Sequence, residues 1–106
     1  MKNDLILSKI CKYARKILKY CRNITYTEFY QNELIIDACI FNLSQIGELA
    51  GRLDEDYQKQ NSQIAWKQMY GLRNRIVHDY EGVNVKLIWE IIENDIPSLL
   101  DELEKL

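Results

Sequence analysis

The chain has 106 residues and a formal net charge of −2, enough for one domain, residues 1–106, that buries roughly 65% of the surface its unfolded form exposes. That charge excludes a protein gripping nucleic acid over a globally basic surface, where each neutralised phosphate adds affinity by counterion release; any RNA contact has to be local. Four glycines and one proline are far below ordinary usage and exclude a turn-rich β protein, so the composition predicts an all-α fold.

Cys11, Cys21 and Cys39 are odd in number, lack CxxC spacing and have a single histidine to help them bind metal, so no metal site is expected. They read as small buried hydrophobes in a reducing, cytoplasmic setting. No apolar stretch approaches the roughly 20 residues needed to span a bilayer and no cleavable leader stands at the amino terminus, so a soluble protein with no membrane partner is expected.

In chain order, Leu7, Ile10, Cys11, Ala14, Ile17, Leu18 and Cys21 alternate by threes and fours and define one stripe of an amphipathic helix, with Asn3 or Asp4 as its expected cap. Lys9, Lys12, Arg15, Lys16, Lys19 and Arg22 occupy its other sides. A solvated helix surface is the usual explanation of such cations, and an RNA contact is the sharper one. Thr25 and Glu28 have the spacing of a capping box, from which a second helix is predicted to run to about Leu53. Its apolar set (Leu34, Ile35, Ala38, Cys39, Phe41, Leu43, Ile46, Leu49 and Ala50) is wide enough for two neighbours, which makes it the central, most buried helix. Glu48 falls inside that set, where an unpaired carboxylate is costly. It is either exposed or paired with an arginine of residues 66–83, which it would position.

Residues 54–63 are polar, acidic and without periodicity, a connection with room for a short helical turn. A third helix is predicted over about 65–77, with Gly82 placed where chains commonly leave a helix. Asn84 can cap the last helix, whose stripe is Val85, Ile88, Trp89, Ile92, Ile96, Leu99, Leu100 and Leu103. Pro97 removes the hydrogen bond to the carbonyl of Glu93 and predicts a kink or two abutting helices.

Residues 66–83 gather chemistry that the rest of the chain lacks. The only histidine, His78, stands with Arg73, Asn74 and Tyr80 within eight residues, and Lys67, Arg73 and Arg75 supply a local cationic cluster. Cleaving RNA by attack of its own 2′-hydroxyl needs a group to take that proton, a group to protonate the leaving 5′ oxygen, and a cation near the phosphorane. Histidine suits both proton roles near neutral pH and arginine suits the phosphate. Asn74 and His78 share a helix face, whereas Arg73 and His78 are about 140° apart and do not meet within one regular helix. They converge if the helix end loosens or if the partner group comes from a second chain across a two-fold axis. The plainer alternative is a helix end where His78 caps carbonyls and Tyr80 packs, in a helical interaction module.

The run Arg73-Asn74-Arg75-Ile76-Val77-His78-Asp79-Tyr80 matches the Arg-x4-His-x-Tyr motif of the HEPN superfamily, and the chain resembles the HepT toxins of MntA/HepT toxin–antitoxin modules. The similarity extends to Ile46-Gly47-Glu48, Trp66, Gly71-Leu72, Trp89 and Asp95-Ile96-Pro97, which covers most of the chain. The resemblance implies an up-down helical bundle of about four to five helices assembled as a two-fold homodimer. It implies a toxin of type VII, an endoribonuclease needing no metal or other cofactor, with Arg73 and His78 catalytic in a cleft shared between protomers and Asn74 accessory to them. It also implies a cognate MntA-like nucleotidyltransferase antitoxin that transfers AMP to Tyr80. A non-catalytic helical partner presenting substrate to a nucleotidyltransferase is the alternative. Ala65, where the family often has proline, and Glu81, where an aromatic often follows the tyrosine, depart from the pattern; Glu81 adds negative charge beside the implied RNA cleft.

Overall fold

The computed structural model describes residues 2–78 and 84–106, without the side chains of Arg73, Val77 and His78. α1 (Lys2–Tyr20) buries Ile10, Ala14 and Ile17 of the predicted stripe, together with Ile6, while Leu7, Cys11 and Leu18 are half-buried. Asn3 lies inside the helix and does not cap it. Its Nδ2 donates to Asp54 Oδ2 at 3.3 Å and its Oδ1 accepts from the Asp54 backbone N–H at 3.3 Å, tying α1 to the turn that follows the central helix. Asp4 is also helical, in the first turn. The helix stops where Asn23 turns left-handed, φ 60°, a conformation asparagine tolerates better than most residues.

The capping box forms as predicted: Thr25 Oγ1 accepts from the Glu28 N–H at 3.2 Å, and Glu28 Oε1 accepts from the Thr25 N–H at 2.9 Å. The helix it starts is not the long one expected. α2 (Tyr26–Tyr30) ends after five residues, and α3 (Glu33–Ala50) begins anew because Asn32 Oδ1 accepts from the Ile35 N–H at 3.0 Å. A side-chain acceptor here offers the backbone a partner that a continuous helix would not, so the chain breaks and restarts.

α4 (Glu55–Gln60) is the short helix of the acidic connection. Trp66 closes that connection, donating from Nε1 to the Asn61 carbonyl at 2.9 Å with its ring 6.2 Å from that of Tyr57. α5 (Trp66–His78) follows; the predicted exit at Gly82 lies outside the described residues. Asn84 caps α6 (Val85–Glu90) by accepting from the Leu87 N–H at 3.1 Å. Ahead of Pro97 the chain widens into a π-helical turn, Ile91–Asp95, before α7 (Ile96–Glu104). This is the interruption that the proline predicts, and through it Ile91, Ile92 and Ile96 all reach the core. The described residues thus form seven α-helical segments and no strand. Taking α2 with α3, and α6 with α7, restores five helical units.

α3 is the centre of the packing: it contacts α1, α2 and α5, while α7 lies on α1 and α2 on α6. Phe29 of α2 is fully buried with its ring 4.9 Å from that of Trp89. Cys21 and Cys39 are buried with their sulfurs 3.6 Å apart, and Cys11 is half-buried. The hydrogen bond between Cys21 and Cys39, with burial, pushes the Cys39 thiol well up, the same bond lowers that of Cys21, and burial raises that of Cys11, so Cys39 and Cys11 are packing residues rather than reactive thiolates. The molecule measures 41 × 28 × 19 Å. Its thin direction is about two helix diameters, so α3 has no layer over its outer side. Two members of its predicted apolar set accordingly stay in solvent, Leu34 at 79% exposure and Phe41 at 57%.

Candidate active site

α5 turns Trp66, Met69, Leu72 and Ile76 into the core and leaves Lys67, Gln68, Tyr70, Asn74 and Arg75 exposed. Its packing on α3 brings Tyr70 and Asn74 to the C-terminal end of that helix. There Gly47, Glu48, Gly51 and Arg52 join them around a recess of about 220 Å³. Glu48 is half-buried in its wall, which is not the exposed position of the first alternative. Of the two arginines it was expected to pair with, Arg75 lines a different cavity and the side chain of Arg73 lies outside those described.

The structure thus brings together two predicted site residues, Glu48 and Asn74, that lie far apart in sequence. Arg73 flanks Asn74 in the backbone of α5, and His78 follows Asn74 by four residues, one turn on at the end of the helix. Tyr80, with the rest of 79–83, lies outside the described residues.

The predicted cationic cluster does not form a single patch. Arg75 lines a different cavity, of about 350 Å³, between α5 and α7, with Asn94, Asp95 and Glu102 on its far wall. Lys67 faces α4, alongside Glu55 and Lys59. The reason is the helical repeat: Lys67 and Arg75 are about 12 Å apart along α5 and about 80° apart around it, so despite their proximity in sequence they meet different neighbours.

Three residues of the recess, Gly51, Arg52 and Tyr70, have no role in the sequence-based assignment. Gly51 permits a close approach: a Cβ there would lie 2.5 Å from Cε2 and 2.7 Å from Cδ2 of Tyr70. Its φ of −67° is ordinary for any residue, so the glycine serves the tyrosine ring and not the backbone. Arg52 stands four residues after Glu48 and Tyr70 four before Asn74, the helical spacing that could have marked both.

Comparison with known proteins gives the family of the chain. The profile described as "Ribonuclease HepT-like" matches residues 10–106. The chain belongs to the HepT-like ribonuclease family, within the HEPN superfamily. Among its relatives is a Methanocaldococcus jannaschii protein designated a candidate RNase, 34% identical over 98 residues, 92% of this chain and 90% of the relative. The Thermococcus cleftensis protein named "Probable ribonuclease HepT" is 31% identical over 100 residues, 94% of this chain and 91% of the relative. No solved structure matches the chain. Among the described residues, no helix of this HepT-like chain is long and apolar enough to cross a membrane.

Proposed function

We propose that this HepT-like ribonuclease is the toxin of a type VII toxin–antitoxin module. It cuts RNA without metal in a cleft completed by a second copy of the chain. The observation that carries this reading is the course of the uncovered face of α3. Tyr30 just ahead of the helix, then Leu34 and Phe41, 61%, 79% and 57% exposed, lead along one side of the helix to Glu48 and the recess. Positions 34, 41 and 48 recur every seven residues and so share a stripe. Several bulky apolar side chains exposed on one helix face are the usual mark of a protein interface. Gly71 supports the same conclusion. It lies inside α5, where it costs about 1 kcal/mol relative to alanine, yet among the described residues no atom beyond its own helix's backbone lies within 4 Å of where its Cβ would be, as expected where the close neighbour is another chain.

Pairing of this stripe about a two-fold axis parallel to α3 would set the recess of one protomer beside that of the other, giving two histidines and two arginines to one cleft. His78 takes the proton of the 2′-hydroxyl as its oxygen attacks the phosphorus, and the partner's His78 protonates the departing 5′ oxygen. Arg73 holds the phosphorane, and Asn74 orients the scissile group by hydrogen bonding. Glu48 positions the arginine. Each proton transfer is worth typically 10²- to 10⁴-fold, and arginine offers a planar fork to the phosphate, so this chemistry does not require a metal ion. The products are a 2′,3′-cyclic phosphate and a 5′-hydroxyl. A cognate MntA-like nucleotidyltransferase neutralises the toxin by transferring AMP to Tyr80, which puts a phosphodiester anion where the RNA phosphate would sit.

The test is cleavage of RNA by the purified protein in EDTA, with the ends of the products identified. Wild type should leave cyclic phosphate, and His78→Ala and Arg73→Ala should each lose activity while remaining folded. A folded wild type with no RNA cleavage under any condition would favour the non-catalytic partner of a nucleotidyltransferase.

A further inference from the structure

The charge of this chain is segregated. Residues 2–22 carry seven of its fourteen cations and one of its sixteen acids, net +6 against −8 for the remainder. Within α1 no acid follows Asp4. By helical register, Lys9, Lys12, Lys16 and Lys19 fall in one sector about 80° wide, spread over roughly 15 Å of helix.

Lys9, Lys12 and Lys19 are exposed and Lys16 is half-buried, its Nζ 5.8 Å from the centroid of the Tyr13 ring. Tyr20 lies on the same side, 37% exposed. Several cations elsewhere on the surface pair with acids: Arg15 with Glu104 at 2.9 Å, Lys59 with Glu55 at 3.9 Å and Lys105 with Asp101 at 3.2 Å. Among the described residues, the four lysines of the α1 stripe form no ion pair. A merely solvated helix face gains by interleaving opposite charges at three- and four-residue spacing, and like charges at that spacing repel. This face keeps only the repelling kind, which favours an external polyanion.

We infer that the outer face of α1 is a second RNA-contact surface, a stripe that tracks the phosphate backbone of the substrate outside the α3/α5 recess. This rests on the ribonuclease function and adds to it the means of holding a long substrate. Lysine is a compact point charge on a flexible stem, suited to successive phosphates, and Tyr13 and Tyr20 along the edge are platforms on which bases stack whatever their sequence. α1 packs directly on α3, the helix that carries Glu48, so the stripe and the recess lie on neighbouring helices.

The experiment measures RNA affinity against salt in His78→Ala protein, which binds without turnover. The probe is an unstructured RNA of about 20 nucleotides, longer than the roughly 4–16 that a small fold covers. The triple variant Lys9→Gln, Lys12→Gln, Lys19→Gln changes exposed positions to a residue of similar helix propensity. Each phosphate neutralised on a single strand contributes about 0.7 to the log–log salt slope, so the variant slope should be shallower by about 2. Between about 50 and 200 mM salt the parent should then lose about 20-fold more affinity than the variant. Arginine at the same three positions should restore the parental slope. With His78 intact, the glutamine variant should cleave a dinucleotide at the wild-type rate and long RNA poorly.

Unchanged affinity and slope in the glutamine variant, the result if the stripe meets an acidic protein surface instead, would overturn the inference. So would an arginine variant as weak as the glutamine one, or equal loss on both substrates. A wild type that cleaves neither substrate defeats the ribonuclease function, while the binding comparison still decides the stripe.

Discussion

Gly51→Ala isolates the contribution of the recess from that of the fold. Gly51 caps α3 at φ −67° and ψ −14°, so alanine meets no backbone penalty. By restricting the unfolded chain it should stabilise by about 0.4–1 kcal/mol. Against this, the new methyl would lie 2.5 Å from the Tyr70 ring, well inside the 3.4 Å at which ordinary contact begins. Tyr70 is 56% exposed, so its ring can swing aside. A side chain forced about 30° off its rotamer costs of order 0.5–1.5 kcal/mol. The two effects nearly cancel, and the folded protein should stay within about 1 kcal/mol of wild type, a melting shift of no more than roughly 8 °C.

The displaced ring, however, moves at the edge of a recess of about 220 Å³ that Glu48 and Asn74 also line. A misplacement of about 1 Å in an active site can cost 10²-fold, so cleavage should fall about 10- to 100-fold while the melting temperature stays within that range. Gly51→Ala combined with Tyr70→Ala removes the clash, and a double-mutant cycle should give a coupling of about 0.5–1.5 kcal/mol in stability. Unchanged cleavage by a folded Gly51→Ala protein would refute the assignment of this recess to the active site.

In a mixed dimer, one chain with His78→Ala and the other with Arg73→Ala retain one intact residue of each kind on different chains; activity above that of either homodimer is expected from a composite cleft, and none would point to a site within each chain. Tyr80→Phe keeps the ring and loses the acceptor oxygen, so it should stay active on RNA yet escape neutralisation when the antitoxin is supplied with ATP; AMP found by mass spectrometry on Tyr70 instead would reject Tyr80. Asn42 is 4% exposed in the middle of α3, and while its Nδ2 donates to the Ala38 carbonyl at 2.7 Å, its buried Oδ1 has no partner among the described residues. Asn42→Leu, similar in shape, should therefore raise stability by about 1 kcal/mol, read as a higher urea midpoint at unchanged slope, and a loss of that size would mean that Oδ1 is satisfied in solution.

Much of this protein is written locally. The three-four spacing from Leu7 to Cys21, the Thr25–Glu28 box, the Asn84 cap and the break at Pro97 each depend on atoms within one or two helical turns, and each appears in the structure where the sequence places it. The motif from Arg73 to Tyr80 is equally local, and with Gly47-Glu48 it was enough to indicate the family. Asn32 was the exception within reach: its side chain cuts the second helix, a choice between capping and continuing that the flanking apolar pattern hides.

Tertiary structure decided what periodicity cannot. A stripe of apolar residues says that a helix face wants cover and is silent on whether this chain provides it. The fold is about two helices thick, so Cys39, Leu43 and Ile46 go into the core while Leu34 and Phe41 of the same helix stay in water. Likewise, only the packing of α5 on α3 brings Asn74 to Glu48, adds Gly51, Arg52 and Tyr70 to the recess, and sends Arg75 to the α7 side. Local sequence sets which residues share a helix face because the helical repeat is fixed by the backbone. Which faces meet depends on how the helices bury their combined surface, and that is a property of the whole chain.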